Sequence, residues 1–354
     1  TNRSEVMRIL VAGSHYADSF ARNIADTLER MGHVVLAAED ASTFWHFTGW
    51  KRTCRILERA FPSIERKHQR RIVRAVEAFQ PNLVVITYGQ YSPQIIHEMR
   101  HASEAKLVAW YPDALSNLGR QYLLASEMDA WFFKDRYMVE KFRADLELNA
   151  HYLPQACNSV QHRRVELTEG ERRKYGCDLC TASNMYYYRA RVLEIFNNYN
   201  LKIWGASYPR WLVSPLRAHY PGMYVADGEK AKAFNAAKIV LNTMHYAEIE
   251  AVNQRLFETT ACGAFVITEW NPALPELFEP EREVVTFRTR RELKEKVDYF
   301  LAHPEERQEI ADRAYARAHR EHTYEIRLTR MFTLLGLAPE PTSLPVRPAS
   351  TQPS

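Results

Sequence analysis

Residues 251–270 read AVNQRLFETTACGAFVITEW, and the run changes its hydrophobic period once. Leu256, Thr259 and Thr260 share one helical face, whereas Ala264 to Thr268 is a short apolar run of the kind that forms a covered parallel strand. Gly263 falls between the two, where a helix C-terminus wants a residue tolerant of positive φ, and Ala261 and Cys262 keep the approach narrow. The unit is therefore helix, glycine, strand. Asn253, Arg255 and Glu258 lie in the first turns of that helix, within reach of a ligand at its positive end. An arginine there suits a bidentate grip on phosphate, and a glutamate can accept both hydroxyls of a ribose. The same Arg and Glu also fit a surface salt bridge on an ordinary amphipathic helix. Glu250 stands eight positions before Glu258.

Working outward, strand-like and helix-like segments alternate through the whole chain, the pattern of a doubly wound α/β protein. MRILVAGS, HVVLAAE, NLVVITYG, KLVAWYPD and DAWFFKD read as parallel strands of a first domain, which ends near AHYLPQACN. QHRRVELTEGERRKYG is polar and without period, and reads as the connection. CDLCTAS, LKIWGAS, KIVLNTM and AFVITEW are strands of a second domain. One long helix is expected from PEERQEI to FTLL. The boundaries expected are 1–160 for the first domain, 161–175 for the linker, 176–318 for the second domain, 319–335 for a returning helix and 336–354 for a tail. That tail holds five of the 17 prolines and almost no apolar mass, the composition of a disordered segment.

The 354 residues suffice for two cores, and 46% apolar with 25% charged residues is the balance of a globular chain. A net charge of +4 is too mild for wholesale nucleic-acid binding. Five cysteines without framework spacing fit a reducing compartment, and with neither a signal-peptide pattern nor a membrane-length apolar run the expected location is the cytoplasm. Cys177 and Cys180 form a CxxC with no second pair at zinc-site spacing, so they read as buried strand residues.

KIVLN, N-x-R-x-FE-x3-CG, FVITE, LPELFEP, the segment around TFRTRRELKEKVDYFL, and HPEERQEIADRAYARAHREHTY follow one another over roughly residues 225 to 335. In that order they resemble the glycosyltransferases of the spore maturation protein CgeB-like group. WYPDALSN, FFKD and YLPQACN in the first half are similar to the same group. The resemblance implies a GT-B architecture: two Rossmann-like domains facing a central cleft, with the final helix returning toward the N-terminal domain. It implies a nucleoside diphosphate sugar as donor, with Glu258 holding the ribose, Arg255 the diphosphate, and Glu250 to Glu258 matching the Glu, seven residues, Glu frame of related enzymes. The chain lacks G-x-G-x-x-G after its first strand, which argues against a dinucleotide oxidoreductase, and it contains no Asp-x-Asp. Neither a metal nor a further cofactor is therefore expected, and a helix end with arginine or lysine is left to stabilise the leaving diphosphate.

Sugar transfer also needs phosphate donors and a base for the acceptor hydroxyl. Ser183 and Asn184, after the first strand of the second domain, join Arg255 as phosphate candidates, or else cap the next helix; Arg189 is a further one. Asp113, after the strand LVAWY and Pro112, is the candidate base, with turn capping as its other reading. His15 after Gly13 and Ser14 is the rival base. His245 is placed to contact donor sugar or phosphate, and Asn117 to position the acceptor. Phe44, Trp45, Phe47 and Trp50 precede nine Lys or Arg between 51 and 74. Trp45 and Trp50 suit sugar stacking, and the cations suit an anionic acceptor or peripheral membrane contact; an aromatic core and a solvated basic helix fit equally. The acceptor class stays open among carbohydrate, glycolipid and protein. A nucleotide-sugar epimerase or hydrolase, and a non-enzymatic sugar-nucleotide-binding protein, are the alternatives of the same architecture.

Overall fold

Apolar runs buried along most of their length become the central strands of two parallel sheets, while the edge strand β2 is largely uncovered. The computed structural model describes residues 6–39, 61–88, 91–117, 121–205 and 208–337. Trp45, Trp50, the 51–60 part of the basic stretch and the proline-rich tail beyond residue 337 lie outside the described residues. The first sheet contains β1 (Arg8–Gly13), β2 (Val34–Glu39), β3 (Leu83–Ile86), β4 (Lys106–Tyr111), β5 (Ala130–Phe133) and β6 (Ala150–Tyr152), in the order β2-β1-β3-β4-β5-β6. The second contains β7 (Cys177–Ala182), β8 (Leu201–Trp204), β9 (Ala237–Asn242), β10 (Val266–Glu269) and β11 (Val285–Phe287), in the order β11-β10-β9-β7-β8. Every pairing is parallel.

Helices of more than one turn cover both sheets: α1 (Phe20–Arg30), α2 (Pro62–Phe79), α3 (Pro93–Ala102) and α4 (Arg136–Leu146) in the first half, then α5 (Glu169–Tyr175) in the connection. In the second half follow α6 (Tyr187–Leu193), α7 (Asp227–Ala236), α8 (Gln254–Ala261), α9 (Arg290–Ala302), α10 (Pro304–Glu321) and α11 (Tyr324–Leu334). The order in which strands are added reverses between β1 and β3, and again between β7 and β9. These are the switch points where an open sheet leaves a crevice at its strand carboxyl ends. Gly13 closes β1 at the first of them: a Cβ there would lie 2.1 Å from Thr87 Oγ1 and 2.8 Å from Ala21 Cβ. Gly263 ends the α8 unit at φ 69°, the conformation that its position after the helix demands. Cys177 and Cys180 are both buried in the core of the second sheet.

The terminal helix is not continuous, contrary to the sequence expectation. His322 O accepts the N–H of Cys157 at 2.9 Å, and Tyr324 N–H donates to Cys157 O at 3.1 Å, so residues 322–324 pair as extended chain and break the helix. Thr323 then caps α11 by accepting from Ile326 N–H. Past this break the chain returns to the first domain, where Tyr324, Leu328, Met331 and Phe332 share a core with Ile9, Val11, Phe20, Ile24 and Trp110. Each such large buried side chain contributes about 1.5–3 kcal/mol, which ties the C-terminal helix to the N-terminal sheet.

Candidate active site

The carboxyl ends of β7 and β9 bring two guanidinium groups together. Arg255, in the first turn of α8, donates through Nε to Ala182 O at 2.5 Å and through Nη1 to Asn242 Oδ1 at 3.0 Å. Arg189, on α6, donates through Nε to Thr243 Oγ1 at 2.7 Å and through its two Nη atoms to the carbonyls of Asn184 and Thr243. Among the described residues neither forms an ion pair with a carboxylate, and Arg255 Nη2 has no protein partner. Burial, then the neighbouring Arg189 charge, pulls the Arg255 pKa down to about 9. Burial lowers that of Arg189 as well. Two desolvated cations facing neutral oxygens constitute a site short of negative charge. Arg189 is thus buried against neutral oxygens rather than solvated or salt-bridged.

Glu258 lies one turn further along α8 and is 5% exposed. Its carboxylate accepts from Lys230 Nζ at 2.9 Å and from Gln254 Nε2 at 2.8 Å. Lys230 also pairs with Asp18, which follows β1 in the other domain. His162 Nδ1 accepts the Asn158 N–H at 3.0 Å, so the ring proton sits on Nε2, 3.4 Å from Asp18 and 3.8 Å from Glu258. Burial opposes the charge on Asp18, but the Lys230 ammonium overrides it and holds the carboxyl far below its usual range. Burial likewise opposes the Lys230 charge, and Glu258 and Asp18 more than compensate. Asp18, His162 and Glu258 present ligand atoms within 4.8 Å of one another, yet the Lys230 ammonium already sits on both carboxylates. The Glu258 carboxylate, expected from the resemblance to hold a ribose, is thus already engaged by Lys230. Tyr16 and Tyr224, both substantially exposed, stand near enough for the cluster's charges to act on their hydroxyls.

The first domain contributes Asp113 at the end of β4. Its carboxylate accepts from Ala114 N–H at 2.8 Å and from Asn117 Nδ2 at 2.9 Å, so the two residues named separately from sequence form one turn. Asp113 lines a cavity of about 110 Å³ with Ser116, Lys134, Asp135, Ala247 and Glu248, drawn from both domains. Lys134 and Glu248 form an ion pair with both side chains 4% exposed. Asp135 Oδ2 accepts the N–H groups of Ile249 and Glu250 at 3.0 and 3.3 Å.

Other expected residues are placed differently. His15 donates a ring N–H to Val11 O at 3.1 Å, folding back on its own strand. Ser183 Oγ bonds Thr181 Oγ1, and the helix N-cap is Tyr186, so neither Ser183 nor Asn184 caps α6; Asn184 acts through its carbonyl on Arg189. Asn253 Nδ2 donates to Thr243 O at 2.9 Å and fixes the loop that holds Arg189. Glu250 meets the first domain through its backbone. His245 stacks on Tyr246 at 4.2 Å, apart from the guanidinium pair's hydrogen bonds. Lys230, Asp18, His162, Lys134, Glu248 and Glu269, which accepts the Met244 N–H at 2.9 Å, escape sequence reasoning; of these only Lys134, in FFKD, and Glu269, in FVITE, lay within resembling motifs.

Two Rossmann-like parallel-sheet domains with a C-terminal helix returned to the first define the GT-B fold. Residues 188–333 match the family described as glycosyl transferase-like. The chain is 20% identical over 287 residues to spore protein CgeB of Bacillus subtilis, covering 76% of this chain and 88% of that protein. Among solved structures, a glycosyltransferase from Rickettsia africae superposes with TM-score 0.65 at 11% identity, covering 94% of this chain and 99% of that one. Anabaena HepE in complex with UDP-glucose gives 0.64 at 12% identity, with 93% and 99% covered. Sucrose-phosphate synthase from Thermosynechococcus elongatus gives 0.64 at 12% identity, with 93% and 98% covered. The chain has the GT-B fold; it is similar to spore protein CgeB and, in its second half, to the glycosyl transferase-like family.

Proposed function

We propose that the protein transfers a sugar from a nucleoside diphosphate sugar to an acceptor hydroxyl without a divalent metal. The observation that carries the reading is the pair of desolvated guanidiniums, Arg255 and Arg189, at the β7 and β9 ends without a carboxylate partner. The leaving diphosphate gains charge in the transition state, and this pair supplies the stabilisation that a metal gives elsewhere. Glu258, shared with Lys230, holds the ribose, and the exposed rings of Tyr16 and Tyr224 flank the base. Asp113, its carboxylate on the interdomain cavity, takes the acceptor proton, with Asn117 orienting it.

Among the described residues no helix is long and apolar enough to cross a membrane. The reading places the protein in the cytoplasm, which suits its free, buried cysteines Cys157, Cys177, Cys180 and Cys262. Arg66, Lys67, Arg70 and Arg74 lie on the exposed face of α2, and this face is the part of the first domain suited to an anionic membrane surface. Sedimentation with phosphatidylglycerol vesicles at low salt tests that contact, and its absence removes it. For the donor, the complex of HepE with UDP-glucose makes UDP the first probe. A thermal-shift panel of UDP, GDP, dTDP and CDP, each with EDTA and with Mg²⁺, should show one selective stabilisation unaffected by chelation. About 2.7 kcal/mol is expected at 100 times the dissociation constant. Stabilisation that requires Mg²⁺ refutes the metal-free mechanism; no shift from any nucleotide refutes the donor site.

A further inference from the structure

A band of aromatic rings lies at the strand-end mouth of the second domain, outside the groups used so far. Tyr187 packs against Trp211 at 5.5 Å, His245 stacks on Tyr246 at 4.2 Å, and Tyr188 meets Tyr246 edge-on at 6.5 Å. Tyr186 joins the band to the cationic site, 5.3 Å from the His245 ring and with the Arg189 guanidinium 4.5 Å over its own. The rings come from segments that follow β7, β8 and β9, so three separate strand ends were needed to assemble them.

Their exposure is unusual for so much aromatic surface: Trp211 is 58%, Tyr246 73% and Tyr187 50% exposed. The tyrosines packed beside Trp211 and Tyr246 are held in place by their hydroxyls. Tyr186 donates to Met244 O and Tyr187 to Trp211 O, each at 3.1 Å, while Tyr188 donates to Glu269. Hydroxyl anchors of this kind leave ring faces toward solvent at little further entropic cost on binding. Tilted rings edged by a carboxylate and an imidazole match the alternating C–H faces and hydroxyl edges of pyranoses better than they match a lipid or an apolar helix. The band also adjoins the interdomain cavity along the chain, because Ala247 and Glu248, which line that cavity with Asp113, directly follow Tyr246.

We propose that this band is an acceptor subsite and that the acceptor is a saccharide chain of at least two pyranose units, stacked on Trp211 and Tyr246. The inference deepens the transferase reading and rests on it, since it names the acceptor class. It moves acceptor recognition onto the donor domain, next to the phosphates.

The test is titration of the full-length protein, saturated with UDP, by maltohexaose, cellohexaose and chitohexaose, followed by tryptophan fluorescence and calorimetry. At least one hexasaccharide should bind. Trp211→Ala, which keeps the backbone carbonyl that anchors Tyr187, and Tyr246→Ala should each weaken it at least fivefold, Trp211→Phe should retain most of it, and UDP affinity should stay unchanged in all three. Hexasaccharide binding undiminished in both alanine variants overturns the proposal, as does failure of all three sugars to bind the wild type. Failure of UDP to bind the wild type would instead strike the donor reading, and rim-dependent saccharide binding measured without UDP would still uphold the subsite.

Discussion

Replacing Arg255 by alanine should weaken UDP binding roughly 30- to 150-fold. Nε and Nη1 are committed to Ala182 O and Asn242 Oδ1, which leaves the Nη2 side for a phosphate oxygen. One charge-assisted hydrogen bond of that kind is worth about 1.5–3 kcal/mol net. A Coulomb check agrees, since unit charges roughly 5 Å apart at an effective dielectric of about 20 attract by about 3 kcal/mol. The two figures describe one interaction and do not add, so a loss of about 2–3 kcal/mol is expected. The fold should survive: the variant strands two oxygens, costing about 1–3 kcal/mol, but relieves repulsion with Arg189. Calorimetric titration of UDP into wild type, Arg255→Ala and Arg255→Lys measures it, with Lys expected between the two because it keeps the charge and loses the planar fork. A folded alanine variant within twofold of wild-type affinity would refute the assignment of the guanidinium pair to the diphosphate.

Asp113→Asn should leave UDP affinity intact and reduce transfer at least a hundredfold, measured as UDP release with acceptor present; undiminished release would move the base elsewhere. Lys230→Met leaves the buried carboxylates of Asp18 and Glu258 facing each other without their cation, and should destabilise the protein by about 3–5 kcal/mol in urea titrations at pH 7. Lys230→Met combined with Asp18→Asn and Glu258→Gln should recover part of that loss, and no recovery would show that the ammonium does not act through these acids. Burial, followed by the charge of Arg327, pushes the His322 pKa down to about 3, so the unfolded chain binds this proton first. Stability should then fall as the pH drops below the unfolded value near 6.5, by about 2 kcal/mol between pH 6.5 and 5. Urea titrations of wild type and His322→Gln test it: the slope should shrink in the variant, and an equal slope in both would exclude His322 as its source.

Local patterns made the α/β character legible. The α8 unit is readable from residues 251–270 because a helical period and a strand run are properties of neighbouring residues, and Gly263 marks their junction without reference to anything distant. The GT-B arrangement and the returning helix followed from the order of motifs, which no single stretch carries. The break at His322 was hidden because its cause, pairing with Cys157, lies in the other half of the chain.

The sequence by itself determined which residue types stand at which strand ends: Arg255 and Glu258 at the start of α8, Asp113 and Asn117 after β4. It could not determine what those side chains do there. Only the tertiary structure decided that Glu258 meets Lys230, Asp18 and His162, that Arg255 lies against Arg189 rather than an acid, and that Lys134 closes on Glu248 across the domains. Periodicity reports which face of an element is buried, but the partner of a buried charge is set by which strand ends the two sheets turn toward each other, and desolvation then fixes whether that charge stays paired or waits for a ligand.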